Sequence, residues 1–151
     1  MSRARAVLDT SVIAEHVNRA GKLHNQASLI FKAINAGKLE AIIPSPVIAE
    51  TFYVAARVYS ELRLPNPVKR AEFLVRWLDR HPGVKILREL DLDIEAGRIK
   101  LEYGLSLTDC YVLAASRICG AAAVFRKREK EMENVEEKLK KFKLIFLEDY
   151  V

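Results

Sequence analysis

The chain has 151 residues and a mass of 17.1 kDa, of which 50% are hydrophobic and 30% charged. This length is enough for one domain with a buried core and too short for two, so we predict a single domain over residues 1–151. Lys and Arg exceed Asp and Glu by 25 to 20, and the resulting charge of +5 favours a polyanionic partner without identifying one.

The composition along the chain also bears on location. No stretch approaches the roughly 18 uncharged apolar residues of a membrane span, and the start MSRARAVLDT lacks the long apolar run of a secretory signal. Cys110 and Cys119 fall on opposite faces of one predicted helix, where they cannot form a disulfide. Because two free thiols fit a reducing compartment, we expect a soluble, cytoplasmic protein without a membrane partner.

Short apolar runs alternate with segments of helical periodicity, which predicts an α/β domain with a largely parallel sheet. Ser45 with Pro46, Gly37 and Ser106 supply helix start and stop signals. The predicted strands are 5–8, 39–43, 84–87, 122–125 and 143–147. The predicted helices are 10–19, 24–36, 46–62, 68–79, 92–103, 107–120 and a charged helix over 129–141.

Three carboxylates stand alone in apolar surroundings. Glu50 is the one charge between residues 41 and 56, Asp109 is the one charge between 103 and 116, and Asp9 closes the first apolar run. A buried carboxylate is costly unless it stays at a rim, pairs with a cation or binds a metal. All three are predicted near the carboxyl ends of parallel strands, where such sheets bind ligands. The joint placement of the three acids therefore predicts a metal-binding site at this edge of the sheet.

Each acid also has a purely structural interpretation. Asp9 can cap the first helix, and Asp109 can complete a Ser-x-x-Asp capping arrangement with Ser106. Glu50 lies beyond the capping positions, and its sequence neighbours offer no cation, although a partner elsewhere in the fold remains open. The functional interpretation therefore depends on the three acids together.

Three carboxylate ligands suit Mg²⁺ or Mn²⁺, which bind through a few carboxylates and retain exchangeable waters. The chemistry best served is metal-assisted hydrolysis, in which the ion activates a water and stabilises charge on the leaving oxygen. His16, His24 and His81 match no zinc-binding spacing, and no glycine-rich phosphate loop occurs.

The segments VLDTSVIAE with Asp9, PSPVIAETFYV with Glu50 and LSLTDCYVLAAS with Asp109 carry a family resemblance. In this order and spacing they resemble the PIN-domain nucleases, and in size and layout the VapC-type toxins of toxin–antitoxin pairs. The resemblance implies a three-layer α/β/α sandwich with a mainly parallel central sheet. It also implies an acidic Mg²⁺ or Mn²⁺ site, cleavage of RNA, and a homodimer inhibited by a small antitoxin protein.

The chain departs from the family at the last motif. Where the family has a strand, a Thr or Ser and then an Asp, this sequence has AVFRKREKEM. We put forward Glu129 as a hypothetical fourth acid, with Glu131 behind it. The alternative is that both are solvated residues of the charged helix, in which case three acids hold the metal or activity is weakened or lost.

Residues beside the acids are candidates for supporting roles. Thr10 and Thr108 are predicted to orient carboxylates or waters, with Ser11 as an alternative to Thr10. Arg126, Lys127 and Arg128 follow the fourth strand and can hold phosphates, or can form a solvated basic turn.

Two other functions remain open at this stage. One is a non-catalytic module of the same fold that binds RNA or a protein. The other is a phosphatase with Asp9 as nucleophile, which is disfavoured because Ser11 stands where such enzymes carry a second acid. We also expect a dimer or antitoxin surface among apolar side chains that ordinary core packing explains equally well: Phe52, Tyr53, Tyr59, Leu62, Leu64, Phe73 and Trp77.

Overall fold

The computed structural model describes residues 3–151. Its strands are β1 (Ala4–Leu8), β2 (Leu39–Pro44), β3 (Val84–Leu87), β4 (Ala122–Phe125) and β5 (Leu144–Phe146). Its helices are α1 (Thr10–Val17), α2 (His24–Asn35), α3 (Ser45–Glu61), α4 (Pro67–Arg80), α5 (Leu90–Tyr103), α6 (Leu107–Cys119), α7 (Lys130–Glu133) and α8 (Glu136–Leu139), followed by a 3₁₀ turn at Leu147–Tyr150.

The five strands form one parallel sheet in the order β3-β2-β1-β4-β5, flanked by helices. This confirms the predicted α/β fold with a parallel central sheet. The chain first builds outward from β1 through β2 to β3, and then returns to the other side of β1 with β4. The strand order therefore reverses between β1 and β4, and their carboxyl ends border a crevice of the kind in which such sheets bind ligands.

The strands are almost continuously apolar because helices cover both faces of the sheet. Leu8, Ile42 and Ile43 are fully buried and join one core cluster with the inward faces of the helices. In α6 the small side chains Ala114 and Ala115 are fully buried, so this helix packs closely against the sheet. That packing holds the N-terminus of α6 at the carboxyl edge of the strands.

The structure corrects one predicted element. The charged helix predicted over 129–141 is two single turns, α7 and α8, with Val135 outside helical geometry at φ −123° and ψ 23°. Met132, Leu139 and Phe142 are all buried. An unbroken helix would turn Phe142 roughly 80° away from Met132, so the break lets all three reach the core.

Two further expectations concern chemistry rather than topology. Cys110 is buried, Cys119 is partly exposed, and both are free thiols, as the spacing predicted. Within residues 3–151 no helix combines the length and the apolar character needed to cross a bilayer.

Candidate metal centre

A cavity of about 410 Å³ opens where β1 and β4 end. It is bordered by the first turn of α1, the second turn of α3, the first turn of α6 and the segment after β4. Its lining residues are Asp9, Thr10, Ser11, Glu50, Val54, Ser106, Thr108, Asp109, Phe125, Lys127, Glu129, Lys130 and Glu131. The structure thus brings the three isolated acids of the sequence to one cavity, together with Glu129 and Glu131.

Asp9 uses its two carboxylate oxygens differently. Its Oδ2 accepts hydrogen bonds from the Ser11 amide at 3.0 Å and the Ser11 hydroxyl at 2.5 Å, which makes it the N-cap of α1. Its Oδ1 is buried and has no hydrogen-bond partner among the described residues. The side chain is only 6% exposed, and this burial raises the pKa of Asp9 to about 6. The capping role and a ligand role are therefore compatible, because each uses its own oxygen.

Glu50 on α3 is held by a hydrogen bond from α6. The Thr108 hydroxyl in the first turn of α6 donates to Glu50 Oε2 at 3.0 Å, so the carboxylate on α3 is tied to the N-terminus of α6. No cation pairs with Glu50 within the described residues. The alternative that a distant cation neutralises this acid therefore finds no support there.

Asp109 lies in the first turn of α6, where the Ser106 hydroxyl accepts the Asp109 amide at 3.3 Å. Ser106 is thus the N-cap that the sequence predicted. Burial and then repulsion by Asp9 raise the pKa of Asp109 to about 7, with smaller contributions from Glu50 and Glu129. Asp9, Glu50 and Glu129 are therefore close enough to oppose the ionisation of Asp109.

Glu129 stands immediately before α7 with its side chain exposed, and it lines the same cavity. Glu131 lines it as well. The hypothesis of a fourth acid thus has a side chain in place, although a catalytic or ligand role for Glu129 stays a prediction.

The hydroxyl that supports Asp9 belongs to Ser11. The Thr10 hydroxyl points instead to the Val47 carbonyl oxygen at 3.5 Å, while Ser11 Oγ also accepts the Arg126 amide at 3.0 Å. Ser11 therefore joins the end of β1 to the end of β4. The sequence signal for this role is the Asp-x-Ser pattern at a strand end, in which a short acid and a hydroxyl form a local turn.

The three basic residues after β4 have different surroundings. Lys127 lines the cavity. The Arg126 guanidinium lies 3.8 Å from the buried carboxylate of Glu15. Arg128 donates to Glu148 at 3.1 Å and to Asp149 at 2.9 Å and 3.0 Å, and it lies over the Phe146 ring. Of the three, Lys127 is the one whose side chain borders the acids.

These residues fit a divalent cation. The cavity offers a carboxylate oxygen of Asp9 that is buried and has no partner among the described residues, and it lies beside Asp109, whose ionisation the other acids oppose. Oxygen donors are what Mg²⁺ and Mn²⁺ prefer. Within residues 3–151 no three Asp, Glu, His or Cys side chains are arranged to share one ion as they stand. Mg²⁺ commonly binds through one or two carboxylates and keeps several waters, which agrees with a cavity of this size.

Comparison with known proteins adds an independent finding. The PIN domain family profile matches residues 6–138. No curated protein sequence matches the chain.

Solved structures resemble the chain over most of its length. VapC20 of Mycobacterium tuberculosis, a Sarcin-Ricin loop cleaving toxin, has a TM-score of 0.61 and 20% identity over 78% of this chain and 86% of that one. A toxin–antitoxin complex from Klebsiella pneumoniae has a TM-score of 0.60 and 15% identity over 94% of this chain and 97% of that one. VapBC2 from Rickettsia felis, bound to a DNA fragment from its promoter, has a TM-score of 0.58 and 17% identity over 86% of this chain and 92% of that one. At such identities the likeness establishes a shared fold.

Proposed function

The chain belongs to the PIN-domain family, whose members are generally nucleases, and from this premise we propose that it is a Mg²⁺- or Mn²⁺-dependent endoribonuclease. The observation that carries the proposal is the cavity at the β1–β4 edge, which Asp9, Glu50 and Asp109 all line and where Asp9 Oδ1 has no hydrogen-bond partner among the described residues. An acidic cavity repels a phosphodiester on its own, so a cation is needed before RNA can approach.

We assign Asp9, Glu50 and Asp109 as the side chains that would hold the ion, either directly or through its bound waters, with Glu129 as a fourth acid at the rim. When bound, the ion would supply an activated water and stabilise charge on the leaving oxygen. Ser11 fixes the orientation of Asp9, and Thr108 fixes that of Glu50. We assign Lys127, which lines the cavity, to contact a substrate phosphate.

The proposal extends to the biological role. The structural relatives include a toxin that cleaves the Sarcin-Ricin loop and toxin–antitoxin complexes, and the likeness covers most of this chain. We propose that this chain is the toxin of such a pair, a cytoplasmic homodimer inhibited by a small antitoxin protein. Exposed apolar side chains support a protein partner, since Phe73 is 73% exposed, Tyr53 46% and Leu64 36%.

Incubation of the purified chain with structured RNAs in Mg²⁺ or Mn²⁺ tests the activity. We expect discrete RNA fragments from the wild type and a loss of at least roughly a hundredfold in rate for Asp9→Asn and Asp109→Asn, because each removes a charged ligand. Asp79→Asn, an exposed acid at the end of α4, is the matched control and is expected to cleave normally.

Cleavage that persists unchanged in Asp9→Asn and Asp109→Asn would reject the assigned site. RNA binding without cleavage in any divalent ion would instead favour the non-catalytic module, an alternative that the departure from the family's last motif keeps open.

A further inference from the structure

A second cleft, of about 660 Å³, lies apart from the acid cavity. It is enclosed by the end of α1, the start of α2, the end of α3 and the start of α4. Its lining residues are His16, Val17, Arg19, His24, Ser28, Tyr59, Leu62, Leu64 and Arg70. Tyr59 stands nine residues beyond Glu50 on α3, about 13 Å along the helix and half a turn around it. We call this region the His16–Arg70 cleft.

The charges in this cleft are of one sign. Among the residues that the structure describes, no Asp or Glu lines it, whereas Arg19 and Arg70 do. Neither arginine pairs with an acidic side chain within residues 3–151. Arg70 Nε donates to the Pro65 carbonyl at 2.7 Å, which anchors the guanidinium and leaves its two terminal nitrogens for a ligand. Unneutralised arginines beside a concave surface are a site for phosphate groups.

A chain of hydrogen bonds determines the tautomers of the two histidines when both rings are neutral. His24 Nδ1 lies 3.1 Å from the Glu15 carbonyl oxygen, which only accepts, so this nitrogen carries a proton. In neutral His24, Nε2 then accepts from the Ser28 hydroxyl at 3.3 Å. Ser28 has one proton to give, so its oxygen accepts from His16 Nδ1 at 3.2 Å.

The remaining nitrogen of this chain, His16 Nε2, is therefore an acceptor. Within the described residues the His16 side chain makes its one hydrogen bond through Nδ1, so Nε2 has no partner there. Burial lowers the pKa of His16, because it disfavours the charged imidazolium, and this favours a neutral ring with its lone pair available. The ring is held in place by stacking on Phe31, with the two centroids 4.1 Å apart. A fixed acceptor in a cleft that two arginines also line suits a hydroxyl that neighbours a phosphate.

We propose that the His16–Arg70 cleft binds a single-stranded segment of RNA outside the acid cavity. Arg19 and Arg70 contact phosphates, and His16 Nε2 accepts a hydrogen bond from a ribose 2′-hydroxyl. The apolar side chains Tyr59, Leu62 and Leu64 provide surface against which bases and sugars pack. The choice of RNA rests on the proposed function, but binding at this cleft does not depend on cleavage.

The test measures binding in a full-length Asp9→Asn, Asp109→Asn background, in EDTA, so that no RNA is cut. The probes are a fluorescein-labelled, unstructured RNA 12-mer and the DNA of the same sequence, followed by fluorescence anisotropy at several salt concentrations. Arg19→Gln and Arg70→Gln are each expected to weaken RNA binding roughly 3–10-fold and to reduce the salt slope by about one. Arg80→Gln, on the same helix as Arg70 but outside the cleft, is the control and is expected to bind as the background does.

Two further variants separate the chemical roles. Arg70→Lys keeps the charge and is expected to recover part of the affinity, which a mere loss of folding would not allow. His16→Phe keeps the stacked ring and removes the acceptor, so it is expected to narrow the preference for RNA over DNA. Thermal melting of each variant monitors its fold.

Unchanged RNA affinity and salt slope in both Arg19→Gln and Arg70→Gln would overturn the proposal. This result is distinguishable from a failure of the proposed function. Cleavage with an unchanged KM after Arg70→Gln would support the nuclease site and reject RNA binding in this cleft. Absence of cleavage by the wild type, together with weaker RNA binding by the cleft variants, would support the cleft and reject the nuclease.

Discussion

Asp9 shows how one residue serves both the fold and the site. Its Oδ2 caps α1 through Ser11, and its Oδ1 is buried at the cavity without a hydrogen-bond partner in residues 3–151. The capping interpretation and the ligand interpretation of this residue, which compete when only the sequence is considered, describe different atoms of one carboxylate. In α6 the two roles fall to two residues, because Ser106 caps the helix and Asp109 lines the cavity.

Burial of these acids makes stability depend on pH. The pKa of Asp9 is raised to about 6 and that of Asp109 to about 7 from an ordinary 3.8, so the folded chain binds more protons than the unfolded chain between about pH 4 and pH 7. By linkage, the contribution of these two groups to the free energy of unfolding falls as pH rises through that window. The loss of stability is complete only well above pH 7, when the carboxyl groups of both Asp9 and Asp109 are ionised.

We therefore expect Asp109→Asn to be more stable than the wild type at pH 8 in EDTA, by about 1–3 kcal/mol, with the difference vanishing near pH 4. Mn²⁺ is expected to raise the melting temperature of the wild type at pH 8 more than that of the variant, because ligands bind the ion in their ionised form. Thermal unfolding from pH 4 to 8 measures both. A wild type as stable as Asp109→Asn at every pH would contradict the assigned burial, and Asp79→Asn serves as a surface control.

At the scale of elements, the connection from α1 to α2 is built around a buried charge. Glu15 is only 5% exposed, its Oε1 accepts the Leu23 amide at 2.7 Å, and its Oε2 lies 3.8 Å from Arg126. Arg126 in turn donates its amide to Ser11. The turn before α2, the end of β4 and the start of α1 are thus joined behind the acid cavity.

Gly21 makes this arrangement possible, because a Cβ there would lie 2.3 Å from Glu15 Oε1. We expect Gly21→Ala to lower the free energy of unfolding by about 1–3 kcal/mol, since the displaced carboxylate loses the Leu23 amide while remaining buried. Gly97→Ala is the matched control. Gly97 lies in α5 with open space around its Cα, so alanine is expected to stabilise the chain by up to about 1 kcal/mol.

Urea denaturation of both variants measures the difference. Equal stabilities for Gly21→Ala and Gly97→Ala would show that Glu15 moves without cost, and that the connection is not organised by its carboxylate.

At the scale of the whole molecule, the topology accounts for the position of the acid cavity. The strand order reverses between β1 and β4, so the loops that follow these two strands separate and leave a crevice at their carboxyl ends. α3 and α6 both begin at this edge, which brings acids from distant parts of the chain to one cavity.

The proposed homodimer is also a property of the whole molecule. We expect light scattering at micromolar concentration to give twice the chain mass of 17.1 kDa. Phe73 and Tyr53 are exposed, and a second chain that covers them would remove their apolar surface from water, which favours association. Phe73→Glu is expected to shift the mass toward one chain, and Leu101→Glu, an exposed apolar position on α5, is the control. A wild-type mass of one chain would remove the dimer.

The sequence by itself determined the local elements and the isolated acids. Apolar periodicity and punctuation by Gly37, Ser45–Pro46 and Ser106 placed every strand and most helices within about two residues, because these signals act between neighbours along the chain. The isolation of Glu50 and Asp109 from other charges could also be read from the sequence, because it concerns their neighbours along the chain.

Only the tertiary structure decided which groups meet. Ser11 contacts an amide 115 positions away, Arg128 is drawn to Glu148 and Asp149, and the segment after residue 129 breaks so that Phe142 reaches the core. The His16–Arg70 cleft likewise joins four helices. Such partners are chosen by the packing of the whole chain, whereas propensity extends only over a few residues, so no local pattern contains them.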